Sequence, residues 1–419
     1  MKTATWWGKP IGLLAGVLAL FMLSGSGVMR TRTEAGEPPV GPEAGYIDTH
    51  NHAPDTPTCV YDVDYDGLVR RDVLARMDVF GIQKTLFMPP PLSPANVSCG
   101  YQHLAGLANR YPDRFAFLGG GESLNVMIQK VVLHQATLEE TLPAFVGAAT
   151  QILRDGAVGF GEMAAEHFSF HEGHPYISAS PDRDLFRLLA DLAARYDVPI
   201  DLHMEALASD IAFADLPDCS AADKVHQFAN PDVFSENITA FERLLRHNRM
   251  ARIVWAHAGW DNTGHRTAAL TRRLLQDHPN LYIQLRPLPL RSGGRCNPIT
   301  DVSGNIVGDW LDLMSSFPDR IVVGLDSFYS KFRPDQPDEE FAQLLDRALG
   351  AGRRFMASLR QSSPALAHKV GYLNAVRIYR LNQPMVCHRP GTPAERTMRV
   401  DGSALNSHLA HGDTRGPCG

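Results

Sequence analysis

A chain of 419 residues is long enough for one barrel-sized domain or two modest ones, and 44% hydrophobic with 21% charged residues is the composition of a globular protein. Lys plus Arg number 40 against 46 Asp plus Glu, and the net charge of -6 excludes a nucleic-acid binder steered by its overall charge. Histidine is abundant, at 17 residues, and the positions of the histidines matter more than their number.

Residues 1–27 have the parts of a secretory signal or an uncleaved anchor. Lys2 and Lys9 precede the uncharged run "IGLLAGVLALFML", and "SGSG" supplies the small-residue exit. Counted through Met29, the apolar stretch is long enough for a retained anchor. Residues 28–44 read as a linker rich in Pro, Gly and Glu. Export to the periplasm or beyond is the expectation, with membrane contact only if the segment is retained. The six cysteines are then an even set in an oxidising compartment, and no C-x-x-C pair points to a zinc ribbon. Cys59 and Cys99, each in a loop after a strand-like segment, are the first choice for a disulfide, with free buried thiols as the alternative.

From residue 45 strand-like and helix-like stretches alternate. "GYIDTHNH", "KTLFMPP", "RFAFLGG", "AVGFGEM", "VPIDLHME", "ARIVWAHAG", "NLYIQLRP" and "DRIVVGLDSF" read as eight strands. Between them lie amphipathic stretches such as "DRDLFRLLADLAARYD" and "SENITAFERLLRHNRM". This rhythm predicts an α/β fold with a parallel sheet closed into a (β/α)8 TIM-type barrel over residues 45–382. An open doubly wound sheet is the alternative, but no G-x-G-x-x-G follows the first strand. "EEFAQLLDRALG" and "SPALAHKVGYLNAVRIYRL" read as closing helices, and residues 383–419 as a disordered, polar tail.

Active sites of parallel barrels sit at the C-terminal strand ends. Those ends carry His50 and His52 on the first strand, Glu162 on the fourth and His203 on the fifth. The sixth ends in His257 and the eighth in Asp326. Alternation puts His50 and His52 on one face. Asp48 shares that face one layer deeper, and is expected to orient a histidine. Buried imidazoles and carboxylates need partners, and a divalent cation satisfies several at once.

The motifs "DTHNH", "GEM", "DLHME", "WAHAGW", "GLDSF" and "GYLNAVRIYRL" resemble, in this order, the amidohydrolase superfamily. Within it the likeness is to the amidohydrolase-related branch of enzymes similar to aminocarboxymuconate semialdehyde decarboxylase. The resemblance implies that His50 and His52 hold a first metal and that Asp326 ligates it and handles the proton of its water. It implies that His203 is a ligand, and that His257 is either a second-metal ligand or an acid–base group. Glu162 sits where some binuclear members carry a bridging carboxylate. Decarboxylase-like members generally lack a glutamate there, a departure that favours hydrolysis.

The expected activity is therefore metal-dependent hydrolysis of an ester, lactone, amide or phosphoester by a metal-activated water, with Asp326 and His257 in catalytic roles. Alternatives are a nonoxidative decarboxylase or hydratase on the same scaffold, and an exported binding protein without activity. Zinc is the expected metal, as one or two ions, with manganese or iron as alternatives. The expected partner is a small-molecule substrate and not a nucleic acid; a homo-oligomer is left open. Arg286 is a candidate to clamp a carboxylate or phosphate, and the competing reading pairs it with a nearby carboxylate. His171, with Glu166, His167 and His174, either lines the pocket or belongs to a solvated loop. Trp260 and Asp261 are expected as pocket walls.

Overall fold

The computed structural model describes residues 45–54, 56, 59–95, 99–288, 292–331 and 336–418, so the expected signal and linker lie outside the described residues. The eight strands form as read: β1 (Tyr46–His52), β2 (Ile82–Phe87), β3 (Phe115–Phe117, resuming at Gly119–Gly120) and β4 (Phe160–His167). They continue with β5 (Pro199–Met204), β6 (Arg252–Ala258), β7 (Leu281–Leu285) and β8 (Ile321–Val323, resuming at Ser327–Phe328). All neighbours pair in parallel. β2 bonds β1 and the first piece of β3, whose second piece bonds β4. β5, β6, β7 and the first piece of β8 follow in order. The second piece of β8 then bonds β1, with Asn51 opposite Ser327, and closes the ring.

Two apolar layers hold this ring. Inside it Ile47, Leu86, Leu118, Val254 and Val322 pack with Tyr379, which caps helix Asn374–Ile378. Each such side chain contributes roughly 1.5–3 kcal/mol of burial. Outside, helices bury one stripe each. Leu138–Arg154 starts with a capping box in which Thr137 and Glu140 satisfy each other's backbone N–H. Asp184–Tyr196 buries Leu185, Phe186, Leu189 and Ala193 against the strands. The closing helix runs Asp338–Ser362, past the end of the apolar stretch read from sequence. Gly352 lets this helix lie close against the barrel, because a Cβ there would sit 2.6 Å from Leu325 and 2.8 Å from the Tyr46 hydroxyl. A further helix, Leu124–Val132, was not expected.

The segment after residue 382 corrects the expectation of a disordered tail. It folds as an antiparallel sheet of β9 (Met385–His388), β10 (Arg396–Arg399) and β11 (Thr414–Arg415), with helix Leu405–Ala410 packed alongside. Its core of Val386, Val400 and Leu405 is too small to stand alone. The Cys387–Cys418 disulfide staples it. Arg399 ties it to the barrel by donating to the carbonyls of Tyr196, at 3.1 Å, and Asp197, at 2.6 Å. Cys59–Cys99 forms as expected, and Cys219–Cys296 is the third bridge. Among the described residues no helix is long and apolar enough to cross a membrane.

Candidate metal centre

The six residues singled out at strand ends converge at the C-terminal mouth of the barrel, all buried. Alternation along β1 turns His50 and His52 inward together. His257 and Asp326 reach the centre through left-handed backbone, with φ of 66° and 48°. That conformation is costly for residues other than glycine and is held by specific partners. The Gln284 side-chain oxygen accepts from the His257 N–H, and the Asp326 N–H donates to the His50 carbonyl at 2.8 Å. Glycine is required at position 324, where a Cβ would meet that of His50 at 2.7 Å.

Glu162 stands between two pairs of histidines. Its Oε2 lies 3.5 Å from His50 Nε2 and 3.3 Å from His52 Nε2. Its Oε1 lies 2.8 Å from His203 Nδ1 and 3.0 Å from His257 Nε2. Asp326 approaches the first pair, 3.2 Å from His52 Nε2 and 3.8 Å from His50 Nε2. His50, His52 and Asp326 each offer one donor atom within 4.8 Å of the others, as do His50, Glu162 and His257.

These close contacts set the electrostatics of the cage. Burial alone would push His50 down, but the carboxylates of Asp201 and Glu162 outweigh it and raise the ring well above the usual histidine range. Burial would raise Glu162, yet His50 and the contacts from His203 and His257 hold it well below the usual carboxylate range. Asp326 is likewise held low, chiefly by Arg286. Burial pushes His257 down to about 3, leaving that ring neutral with a free lone pair. The carboxylates of Asp201 and Glu162 thus favour the protonated ring of His50. Meanwhile His50 Nε2, His52 Nε2 and His257 Nδ1 are buried without a hydrogen-bond partner. Orphaned imidazole nitrogens beside carboxylates are a donor set that fits a divalent cation.

Around the centre several expectations change. Asp48 does not orient a histidine; its Oδ1 accepts from the Leu325 N–H at 2.9 Å and braces β1 against β8. The carboxylate facing His50 Nδ1 is Asp201, 3.0 Å away on β5. Sequence reasoning missed it, although its spacing two residues before His203 placed it on the inward face. The "AAEHFSFHEGHP" stretch is partly strand, because Glu166 and His167 extend β4 and pair with Ile177–Ser178. His167, His171 and His174 line a cavity of about 490 Å³ above the centre, together with Phe170, Trp260 and Phe328. His171 is at the exposed rim. Arg286 also lines the cavity, stacked 4.2 Å over Trp260, and pairs with Asp326 Oδ2 at 2.8 Å. Asp261 is no wall: it is buried and accepts from the N–H groups of Thr263 and Gly264, organising the turn after β6.

A family model described as amidohydrolase matches residues 138–381. No curated protein matches the sequence. Among solved structures, the phosphotriesterase from Mycobacterium tuberculosis is 12% identical with a TM-score of 0.43, covering 81% of this chain and 94% of its own. Amidohydrolase 2 from Bifidobacterium longum subsp. infantis is 12% identical with a TM-score of 0.35, covering 80% of this chain and 99% of its own. The beta-aspartyl dipeptidase from Fervidobacterium islandicum AW-1 is 11% identical with a TM-score of 0.42, covering 81% and 75%.

Proposed function

Because this chain belongs to the amidohydrolase family, we propose that it is a metal-dependent hydrolase cleaving an ester, lactone, amide or phosphoester bond of a small molecule. His50, His52 and Asp326 would hold one cation, His203 and His257 a second, and Glu162 would bridge them. Nitrogen and oxygen donors suit zinc, with manganese or iron as alternatives. When bound, such cations acidify a water and polarise a carbonyl or phosphoryl group. Asp326, kept ionised by Arg286, would accept a proton and return it to the leaving group. Asp201 fixes the ring of His50 from behind. Arg286 presents a cation to a negatively charged part of the substrate, while Trp260, Phe170 and Phe328 exclude water.

The observation that carries this reading is the division of four buried histidines into two pairs by the two oxygens of Glu162. Elemental analysis of purified, metal-supplemented protein, joined to an activity screen over lactones, amides, phosphoesters and aromatic carboxylates, tests it. Hydrolysis with bound divalent metal is expected. Protein without any divalent metal after supplementation would overturn the reading, and turnover of aromatic carboxylates alone would move it to the lyase alternative. We further propose export: three disulfides suit an oxidising compartment, and fractionation of cells expressing the chain checks it.

A further inference from the structure

We propose that His388, His408 and Asp413 form a second cation site, remote in sequence from the barrel ligands, that takes a borderline divalent ion such as zinc. The three residues come from three elements of the C-terminal sheet unit. His388 ends β9, beside the Cys387–Cys418 disulfide that fixes the strand. His408 lies on helix Leu405–Ala410, and Asp413 precedes β11. Both imidazoles turn Nδ1 to the same carboxylate oxygen, Asp413 Oδ2, at 2.9 Å from His388 and 2.7 Å from His408. The rings stand edge to face, 5.8 Å apart. The other oxygen, Oδ1, accepts from the Arg389 N–H at 2.9 Å, which fixes the carboxylate plane.

One donor atom from each residue lies within 4.8 Å of the others, in a set of two nitrogens and one oxygen. Without a cation, Oδ2 has to accept from two Nδ1–H groups at once; a cation replaces both protons and joins all three atoms. Tetrahedral zinc with bonds of about 2.0–2.1 Å separates its ligand atoms by about 3.3 Å. The cluster therefore opens by roughly half an ångström to admit it. The imidazoles can move that far, since their side chains are 22% and 24% exposed while that of Asp413 is 2% exposed. Their exposure leaves the fourth position to water. Such an ion would strap the helix to the sheet in a unit whose apolar core is small.

The test is zinc content of the full chain after saturation and desalting. His388→Ala/His408→Ala is expected to bind one zinc equivalent fewer than wild type, with its hydrolytic activity and barrel-bound metal retained. A complementary chain carrying His50→Ala, His52→Ala, His203→Ala and His257→Ala is expected to keep that one equivalent. Asp413→Asn, which preserves the shape of the cluster, guards against misfolding of the double variant and is expected to lose the same equivalent. Equal zinc content in wild type, the double variant and Asp413→Asn would overturn the proposal, as would a barrel-ligand variant that binds no zinc.

Discussion

The carboxylate of Glu162 meets His203 with one oxygen, 2.8 Å from Nδ1, and leaves the other to the histidines of β1. In the proposed reading a glutamate so placed would belong to two ligand sets at once. In the two-cation reading Glu162→Ala removes the bridge, so barrel-bound metal should fall by half and kcat/KM by more than about a hundredfold. Metal analysis and kinetics on one sample decide it. A variant that keeps its full metal content and changes only substrate preference would favour the lyase-type centre.

Arg286 is shared between Asp326 and the cavity, 2.8 Å from the carboxylate and stacked on Trp260. Arg286→Met keeps the bulk and removes the charge. Losing one charge-assisted hydrogen bond costs about 1.5–3 kcal/mol, or about a ten- to hundredfold drop in kcat/KM for anionic substrates. Neutral substrates of the same shape should suffer less. Equal losses for both would mean that Arg286 only positions Asp326 and never touches substrate.

Much of this was legible in the sequence, for a physical reason. Parallel strands buried on both faces must be apolar, so a histidine or carboxylate at such a strand's end stands out, as His203 does in "DLHME". The inward face was legible too, but not the partner across the ring. Asp48 and Asp201 both sit two residues before a histidine candidate, and only the assembled barrel turns Asp201 toward His50 and Asp48 toward the Leu325 N–H. Helix Leu124–Val132 was hidden because Ser123 supplies no side-chain cap and its β-branched residues suit a strand equally well. The folded C-terminal unit was hidden by its Pro and Gly content. Its order comes from a disulfide and from Arg399, neither of which leaves a periodic pattern.

Glu166 is buried beside the cavity, accepting from the Tyr176 hydroxyl at 2.6 Å and from the Ser178 hydroxyl at 2.8 Å. Burial, with a further push from Glu205, raises it to about 7 despite those bonds and the nearby His203. A carboxyl raised in the fold binds more protons folded than unfolded between its ordinary value near 4.5 and about 7. Stability should therefore fall as pH rises through that window, by up to about 1.4 kcal/mol per pH unit for this group. Glu166→Gln keeps an acceptor for both hydroxyls and removes the charge, so its urea midpoint should fall less over the same range. An unchanged pH slope in the variant would show that Glu166 is not the group responsible.

Gln284, next to last in β7, holds the mouth together through two buried hydrogen bonds. Its side-chain oxygen receives the His257 N–H, and its nitrogen donates to the Gly324 carbonyl at 2.5 Å. The first contact fixes the left-handed turn that aims His257, and the second fixes the strand that carries Asp326. Gln284→Leu preserves volume but leaves a buried N–H and a buried carbonyl unpaired, at a cost of about 1–3 kcal/mol each. Gly324→Ala attacks the same place sterically, pressing on His50 and on the Gln284 side chain, and overpacking costs about as much. Both variants should lose metal affinity and turnover together, by tenfold or more, because the ligands move relative to one another. Denaturant melts combined with metal titration test this. A Gln284→Leu protein that loses stability but binds metal as tightly as wild type would show that left-handed backbone at His257 persists without its amide partner.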